Sequence, residues 1–395
     1  MIGKRANWYD PASCWPQGQG RWNPLRILHV YKDFDPPVCG GIERHVALMC
    51  RFQQQWADVE ALVCSRTLRT RVVERDGTRV TEAGEWGRFL SAPLSPTFPW
   101  LLRRNKADVV VVHVPNPTAE AGWLLARPRA ALVVRYHSDV VRQARSMKLY
   151  GPLQMHFLRQ AAIILPTSQP YLESSSMLQA VRDRCRVVPL GIVPEEFEAP
   201  EESQVQALHQ RYGEDFVFFC GMHRYYKGLQ YLVEATPQIK ARLVLAGDGP
   251  ERGALLRQAE STGSKIAFPG RLTHEALVAH LHACAVFVFP SVERSEAFGV
   301  SIMEAHACGK PVVATRLGTG VEVVNQDVQT GLNVSPRDPA ALAEAVNTLL
   351  ADRARRERMG AYAKARVARE FRAEDVARLE LEYYQEALSG REARI

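Results

Sequence analysis

The chain has 395 residues, 46% hydrophobic and 24% charged, a composition typical of a folded protein with two domains. No apolar run reaches the roughly 20 residues that span a bilayer, and the first twenty residues lack the apolar segment of a signal peptide. We therefore expect a cytoplasmic protein. Residues 1–190 carry 26 Lys and Arg against 15 Asp and Glu, whereas residues 191–395 carry 24 against 28. The basic first half favours phosphorylated ligands or an anionic membrane surface over nucleic acid, because no nucleic-acid motif is present.

Short runs of Val, Ile and Leu alternate with helix-like segments along the whole chain, which is typical of parallel βαβ units. The strands predicted in the first half are 26–31, 59–65, 108–114, 131–137, 163–168 and 187–190. Those predicted in the second half are 216–222, 242–247, 265–268, 286–290, 311–315 and 331–334. Helices are predicted between them, including 43–55, 228–239, 251–261 and 274–284, followed by a charged helical tail over 338–388.

Each half thus predicts an α/β domain with an open, doubly wound sheet. The two halves join near LGIVPEEFEAPEES, where Pro, Gly and acidic residues cluster. Two such sheets place a ligand in the cleft between them, at the carboxyl ends of the strands. The predicted division is 1–22 as a flexible extension, 23–192 as an N-terminal domain, 193–370 as a C-terminal domain, and 371–395 as a helix crossing back to the N-terminal domain.

The segment SEAFGVSIMEAHACGKPVVAT places two glutamates around the start of a helix. Glu296 precedes the helix, which begins near Gly299, and Glu304 lies inside it. The free N–H groups of Phe298, Gly299 and Val300 predict an anion site at the helix N-terminus. Because phosphate repels a carboxylate, the two glutamates are better suited to accept hydrogen bonds from hydroxyl groups. A nucleotide diphosphate sugar offers both phosphates and hydroxyls.

Glu296, Glu304 and the flanking SEAFG and GKPVVAT resemble the retaining glycosyltransferases of family 4. The likeness covers roughly residues 26–388. It implies the GT-B fold, in which two Rossmann-like domains face each other across a cleft and C-terminal helices pack back. By this resemblance Glu296 binds hydroxyls of the donor sugar, Phe298, Gly299 and Val300 present backbone amides to sugar and phosphate, and Glu304 holds the ribose.

The segment GMHRYYKGL supplies cations after a strand of the second half. The family pattern places Lys227 at the diphosphate. Met222 stands where the family has an arginine, and Arg224 is the candidate replacement, because a guanidinium suits phosphate oxygens. A surface arginine beside two tyrosines is the alternative interpretation of Arg224.

Three further motifs contribute site residues by resemblance. CGGIERH places Gly40 and Gly41 opposite the donor phosphate and the acceptor, and adjacent glycines allow close backbone approach. RYHSD places His137 next to the donor sugar at the cleft mouth, although a histidine at a strand end is often only structural. GTGVEVV places Glu322 near a helix start beside the donor. The predicted catalytic residues are His137, Lys227 and Glu296.

Neither a metal nor a cofactor is predicted. The eight cysteines are scattered singly, which indicates reduced thiols rather than zinc or disulfides. Asp33 and Asp35 spell DxD, a metal-binding signature of a different glycosyltransferase fold, but they lie in a loop before Pro-Pro. His280 and His282 are two apart on a predicted helix and so face different sides. No GxGxxG is present, which argues against an NAD-dependent oxidoreductase.

The resemblance implies transfer of a hexose to a lipid-linked or saccharide acceptor in polysaccharide or glycolipid biosynthesis. YHSDVVRQ and LGTGVEVVN are similar to bacterial surface-polysaccharide mannosyl- and rhamnosyltransferases, so we expect a donor of the GDP-mannose type, with a UDP-sugar as the alternative. Segments 98–106 and 142–160 mix apolar and basic residues, as in a peripheral membrane face on the inner leaflet; core packing with a cationic edge explains them equally. A non-catalytic sugar-nucleotide-binding partner, motivated by Met222, and an enzyme with a soluble acceptor or epimerase activity stay open.

Overall fold

The computed structural model describes residues 24–38, 40–89, 92–139 and 144–392. The predicted extension over 1–22 lies outside these residues. The described chain forms two α/β halves, each with a parallel sheet between helices. The predicted doubly wound architecture is therefore confirmed.

The first half contains one seven-stranded sheet in the order β3-β4-β2-β1-β7-β8-β9. All its neighbouring strands pair in parallel except β3 and β4, an antiparallel hairpin at one edge. The elements of this half are β1 (Arg26–Val30), α1 (Gly41–Gln53), β2 (Asp58–Cys64), β3 (Arg71–Arg75), β4 (Thr78–Ala83), β5 (Arg88–Phe89), β6 (Ala92–Pro93), α2 (Phe98–Arg104), β7 (Val109–Val114), α3 (Pro117–Ala126), β8 (Ala131–Tyr136), α4 (Ala144–Leu158), β9 (Ile163–Pro166), α5 (Gln169–Ser174) and α6 (Ser176–Gln179).

The second half contains a six-stranded, wholly parallel sheet in the order β12-β11-β10-β13-β14-β15. Its elements are α7 (Glu202–Tyr212), β10 (Val217–Cys220), α8 (Leu229–Ala235), β11 (Leu243–Ala246), α9 (Arg252–Thr262), β12 (Ile266–Gly270), α10 (His274–Ala283), β13 (Val286–Phe289), α11 (Val300–Ala307), β14 (Val312–Thr315), α12 (Val321–Val324), β15 (Gly331–Val334), α13 (Pro339–Ala351) and α14 (Arg353–Glu370). The last helix, α15 (Ala373–Glu392), packs against the first half. Short 3₁₀ turns occupy Arg182–Arg184, Pro194–Phe197, Tyr225–Lys227 and Thr236–Gln238.

Each central strand is buried on both faces, which is why its sequence is almost continuously apolar. In β7, Val110 and Val112 belong to the hydrophobic core on one face of the sheet. Val109 and Val111 belong to the core on the opposite face. This alternation also assigns each polar residue of the strands to one face, which matters for the histidines described below.

The chain returns to the first half at its C-terminus. Val376, Leu381 and Tyr384 of α15 lie in the same core cluster as Val46 and Met49 of α1. The crossing helix therefore completes the first domain. Within the described residues, no helix combines the length and apolar character needed to cross a membrane.

One predicted strand is absent from the structure, and one hairpin of the structure was not predicted. The strand predicted over 187–190 is wrong: the carbonyls of Val188 and Pro189 accept hydrogen bonds from the Arg135 guanidinium at 2.8 and 2.7 Å. These carbonyls therefore do not pair with a further strand. The β3–β4 hairpin was not predicted, because β3 is largely exposed and carries little of the apolar signal of a strand.

Candidate functional site

Two motifs far apart in sequence meet at the carboxyl ends of the second sheet. Lys227 ends the 3₁₀ turn that follows β10, and Glu296 lies in the loop between β13 and α11. Lys227 Nζ donates a hydrogen bond of 2.5 Å to Glu296 Oε2, which also accepts one of 3.2 Å from the Ser291 hydroxyl. The side chains of Lys227 and Glu296 are 13% and 12% exposed. A cation and a carboxylate therefore stand side by side at the cleft.

The Lys227 ammonium is kept charged by its surroundings. Burial by itself lowers the pKa of Lys227, but the Glu296 carboxylate, together with Tyr226, outweighs burial and raises the pKa above its usual value. The ring of Phe289 lies 4.7 Å from the ammonium and adds a cation–π contact. Lys227 therefore stays protonated, and a phosphate group can approach its ammonium.

The start of α11 adds a second anion-binding element beside this pair. Gly299 caps the helix with φ +90°, and in the described part of the chain no acceptor takes the N–H groups of Phe298, Gly299 or Val300. The Phe298 side chain is only 2% exposed and packs in the core, so this residue offers only its backbone. Unpaired amides at the positive end of a helix are suited to a phosphate or a carboxylate.

Glu304 lies in the second turn of α11 and faces a cation from the other half. Arg44 Nη1 of α1 lies 3.8 Å from Glu304 Oε1, and Arg44 Nη2 lies 2.5 Å from Glu196 Oε2. Burial raises the pKa of Glu304, and Arg44 opposes that rise. No pattern in the sequence marks Arg44 as a site residue, although it lies within the GGIERH motif.

The glycine pair lies across the cleft from α11. A β-carbon on Gly41 would lie 3.7 Å from Cγ2 of Val300, and one on Gly40 would lie 2.2 Å from Oε2 of Glu43. Gly40 also provides the carbonyl that accepts from the Arg44 N–H at 2.9 Å. The structure therefore brings the predicted glycine loop and the predicted helix start to opposite walls of one cleft.

His137 directly follows β8 and is 3% exposed. Its Nε2 is hydrogen-bonded to His113 Nδ1 at 2.9 Å, and its Nδ1 has no partner among the described residues. Burial lowers the pKa of His137 well below its usual value, and His45 and Arg135 lower it further, so the ring is neutral. No hydrogen bond joins His137 to Lys227 or Glu296 in the described chain.

Arg224 and Glu322 are placed differently from Lys227. Arg224 is exposed, and its Nε lies 2.8 Å from the sulfur of Met222, which is 41% exposed. The Glu322 carboxylate accepts hydrogen bonds from the N–H groups of Gly318 and Thr319 at 2.9 and 3.2 Å. Glu322 thus fixes the loop before α12, and its role towards a donor stays a prediction.

The two patterns that resembled metal sites have other partners here. Asp33 is 5% exposed and accepts two hydrogen bonds from Arg88 at 2.7 and 2.8 Å. His280 Nδ1 bonds the Ala276 carbonyl at 2.6 Å, and His282 Nε2 bonds the Phe197 carbonyl at 3.0 Å. Asp33 therefore anchors its loop, and the two histidines point to separate partners.

Gly228 is a position where the site requires glycine. Its φ is +65°, and a β-carbon would lie 2.0 Å from the Pro290 carbonyl oxygen. We expect Gly228→Ala to lower the free energy of unfolding by about 2–4 kcal/mol, because left-handed strain and a backbone clash add. Gly263, with φ +60° and nothing within 4 Å of its β-carbon position, is the matched control, and Gly263→Ala is expected to cost about 1 kcal/mol. Urea denaturation measures both; equal losses would contradict the close approach.

Together, the two facing α/β halves and a cleft lined by a lysine, a helix N-terminus and two glutamates have the arrangement of the GT-B fold. Residues 39–196 match the family model for Glycosyltransferase Family 4, and residues 201–366 match the model for Glycosyl transferases group 1. The chain belongs to the family 4 glycosyltransferases.

Two named relatives align over most of the chain. It is 34% identical over 360 residues to O-antigen chain mannosyltransferase C of Escherichia coli, covering 89% of this chain and 95% of the relative. It is also 34% identical over 353 residues to D-rhamnosyltransferase WbpZ of Pseudomonas aeruginosa, covering 88% and 93%. The expected family and enzyme class are therefore confirmed.

Solved structures share the fold at lower identity. Sucrose-phosphate synthase of Thermosynechococcus elongatus superposes with a TM-score of 0.78 at 22% identity, covering 93% of this chain and all of that one. HepE of Anabaena, solved in complex with UDP, superposes with a TM-score of 0.76 at 19% identity, covering 92% of this chain and all of that one. At these identities the likeness establishes the fold.

Proposed function

We propose that this glycosyltransferase moves a hexose, with retention of anomeric configuration, from a nucleotide diphosphate sugar to a lipid-linked or saccharide acceptor in polysaccharide or glycolipid biosynthesis. The observation that carries the proposal is the Lys227–Glu296 pair at 2.5 Å beside the unpaired amides of α11. That arrangement offers positive charge for a diphosphate and a carboxylate for sugar hydroxyls. The glycine loop at Gly41 faces it across the cleft.

In this proposal the chain acts by stabilising the leaving group. Lys227 and the N–H groups at the start of α11 lie against the diphosphate and stabilise the charge that develops as the glycosidic bond breaks. Arg224 is exposed at the cleft and can swing from Met222 towards the same phosphates. This charge supply is the reason why we propose that the transfer needs no metal ion.

The two glutamates hold the donor and do not attack it. Glu296 already accepts hydrogen bonds from Lys227 and Ser291, and Glu304 faces Arg44. Glu296 therefore binds hydroxyls of the sugar and Glu304 binds the ribose. Without an attacking carboxylate, retention follows from a mechanism in which acceptor and leaving group occupy the same face of the sugar. Closure of the two halves excludes water, which otherwise competes as acceptor.

The names of the relatives favour a donor of the GDP-mannose type. The E. coli relative is a mannosyltransferase and the P. aeruginosa relative a D-rhamnosyltransferase, and both align over nearly the whole chain. A UDP-sugar stays the second candidate donor. A surface polysaccharide under construction on a lipid carrier is the proposed acceptor.

A donor panel tests the proposal. GDP-mannose, GDP-rhamnose, UDP-glucose and UDP-galactose are compared by thermal shift and by acceptor-dependent release of nucleoside diphosphate. We expect stabilisation and turnover with a GDP-linked hexose, and loss of turnover in Glu296→Ala. Failure of every nucleotide sugar to bind, or stabilisation by NADH alone, would refute the proposal.

Met222 motivates a second candidate, a non-catalytic sugar-nucleotide-binding partner. The side chain that replaces the family arginine carries no charge, and its sulfur contacts the exposed guanidinium of Arg224. Restoring the family residue with Met222→Arg separates the two candidates. A binding protein would bind the donor tightly yet release no nucleoside diphosphate with any lipid or saccharide acceptor, both before and after this change.

Four large apolar side chains of the first half are exposed, and we propose that they contact a membrane. We name Leu68, Trp86, Leu94 and Trp100 the apolar rim; they are 75%, 75%, 55% and 55% exposed. The backbone N–H of Trp86 donates to the Leu94 carbonyl at 2.8 Å, so these two residues are neighbours in the fold. Arg104 lies 4.5 Å from the Trp100 ring. Aromatic side chains beside arginine are suited to an anionic lipid interface. Of the predicted segment 142–160, residues 142 and 143 lie outside the described chain.

We expect the partition coefficient of the double variant Trp86→Ser/Trp100→Ser onto anionic vesicles to be at least about tenfold lower than that of the wild type. This difference is equivalent to about 1.4 kcal/mol. Sedimentation with phosphatidylglycerol vesicles at low and high salt measures the bound fraction. Tyr362→Ser, at a side chain 43% exposed in the second half, is the matched control. Equal binding of all three proteins, or no binding by the wild type at low salt, would contradict a membrane role of the apolar rim.

A further inference from the structure

Three histidines at the carboxyl ends of neighbouring strands form a continuous row. His29 lies on β1, His113 on β7 and His137 just after β8, and all three are at most 3% exposed. His29 Nδ1 lies 3.0 Å from His113 Nε2, and His113 Nδ1 lies 2.9 Å from His137 Nε2. The alternation of the strands places them on the face covered by α1 and α15. Burial lowers the pKa of each ring, so all three are neutral.

A buried carboxylate, that of Glu380, ends the hydrogen-bond network on the side of His29. Glu380 of α15 is fully buried and its Oε1 lies 3.0 Å from Nε of the equally buried Arg135. Burial alone raises the pKa of Glu380, but Arg135, together with His45 and Tyr384, outweighs burial and lowers the pKa to about 2. Glu380 is therefore ionised and can only accept hydrogen bonds.

Because Glu380 can only accept, the donor and acceptor of each hydrogen bond from Glu380 to His29 are fixed. The Tyr384 hydroxyl lies 2.6 Å from Glu380 Oε2, so it must donate its proton to that carboxylate. Its oxygen is left to accept from Gln53, whose Nε2 lies 3.4 Å away. Gln53 Oε1, 2.8 Å from His29 Nε2, must then accept, and His29 carries its proton on Nε2.

The donor and acceptor of each hydrogen bond between the three histidine rings follow in the same way. His29 Nδ1 is an acceptor, so His113 donates from Nε2; His113 Nδ1 is an acceptor, so His137 also donates from Nε2. Nδ1 of His137 is left as a bare lone pair. It is buried and no described residue donates to it. A buried acceptor without a donor carries a desolvation cost that a ligand hydroxyl would remove.

We propose that Glu380 sets the tautomer of His137 through Tyr384, Gln53, His29 and His113, so that the cleft presents His137 Nδ1 as an obligatory acceptor for one hydroxyl of the donor sugar. This inference rests on the proposed function for its ligand. Glu380 and Tyr384 are positioning residues, and His137 contacts the substrate. Every hydrogen bond in this network is donated in the direction of the Glu380 carboxylate. Each bond therefore polarises the next, which makes His137 Nδ1 a stronger acceptor.

The consequence is a specificity rule. A sugar that places a hydroxyl at His137 donates to Nδ1, whereas an analogue deoxygenated at that one carbon leaves the lone pair unpaired. In a panel of singly deoxygenated donors, we expect kcat/KM to fall at least about tenfold for one position and less for the others. A uniform response across all positions would contradict the rule.

A metal ion is the competing occupant of this cluster. Ring nitrogens of His45, His113 and His137 lie within 4.8 Å of one another. His113 and His137, however, are nearly coplanar, with 17° between their planes, and their facing nitrogens are at hydrogen-bond distance. His45 Nε2 instead lies 3.3 Å from Arg135 Nε and 3.4 Å from Glu380 Oε1. The nitrogens therefore point at each other and at charged neighbours rather than at a common centre.

Nitrogen-15 NMR of the histidine-labelled full chain tests the proposal without any turnover, with His137→Gln used to assign the signals. In the wild type we expect a pyridine-type shift for His137 Nδ1 and a pyrrole-type shift for Nε2. In Tyr384→Phe, which frees Gln53 to turn over, Nδ1 of His137 is expected to move towards the pyrrole type, with kcat/KM lower by about tenfold. Tyr212→Phe is the matched control, because the buried Tyr212 hydroxyl has no hydrogen-bond partner among the residues that the structure describes.

Three results would overturn the inference. One is a protonated Nδ1 on His137 in the wild type, and another is a Tyr384→Phe spectrum identical to that of Tyr212→Phe. The third is a stoichiometric shift of the His45, His113 and His137 signals by added Zn²⁺. None of these outcomes depends on glycosyl transfer, so the transferase proposal would stand or fall separately on the donor panel.

Discussion

Replacing Lys227 by alanine is expected to lower kcat about 10²–10³-fold, because removing one preorganised group that stabilises a developing negative charge has a cost of this size. Lys227 is the cation that two motifs, its own and that of Glu296, hold in place at 2.5 Å. In the variant the diphosphate keeps the amides of α11 but loses its buried positive charge. The measurement is acceptor-dependent release of nucleoside diphosphate under saturating donor.

Lys265→Ala is the matched control, since Lys265 is an exposed lysine of the same half. It should leave kcat unchanged. Melting temperatures of both variants separate lost chemistry from lost folding. A Lys227→Ala protein that folds normally and turns over within threefold of the wild type would contradict the role assigned to this lysine.

The largest expected effect on stability is at Glu380. Glu380→Ala is expected to lower the free energy of unfolding by about 3–5 kcal/mol, because it leaves the guanidinium of Arg135 buried without its counter-ion. Both side chains of this pair are 0% exposed. Glu386, on the same helix, pairs with Arg186 at 2.7 Å, but these side chains are 44% and 38% exposed. Glu386→Ala should therefore cost less than about 1 kcal/mol.

The pair Glu380 and Arg135 also has a pH signature. The pKa of Glu380 in the folded chain, about 2, lies below the ordinary value of 4.5, so the unfolded chain binds its proton first as the pH falls. The stability from this carboxylate is complete above pH 4.5 and is lost between about pH 4.5 and pH 2. Urea denaturation across this window should give a shallower pH dependence for Glu380→Gln than for the wild type. Parallel curves would contradict an ionised, ion-paired Glu380.

Much of the fold could be predicted because parallel strands carry a strong local signal. The run VVVVHV of β7 is buried on both faces, and such runs are apolar whatever their neighbours are. The β3 strand escaped prediction for the opposite reason, since it is largely exposed and three of its five residues are charged. The stretch 187–190 is apolar enough for a strand, but Arg135 takes its carbonyls, and that contact spans more than fifty residues.

Site residues that lie in family motifs could be predicted from the sequence. Site residues whose role depends on tertiary contacts could not. The motifs led to Lys227 and Glu296, which the structure joins directly. They did not lead to Glu380, because its importance comes from Arg135 and Tyr384 in the folded chain and not from any local pattern. His29 and His113 did leave a trace in the sequence. His113 is the one polar residue of β7, and His29 is the one buried polar residue of β1; such residues on adjacent strands lie side by side.

A crystal structure of the chain with its nucleotide sugar tests the account of the cleft most directly. We expect the diphosphate against Lys227 Nζ and the N–H groups of Phe298, Gly299 and Val300, with the sugar hydroxyls at the Glu296 carboxylate and the ribose at Glu304. His137 Nδ1 should lie within hydrogen-bond distance of one sugar hydroxyl. A diphosphate bound away from Lys227, or a covalent bond between the sugar and Glu296, would contradict it.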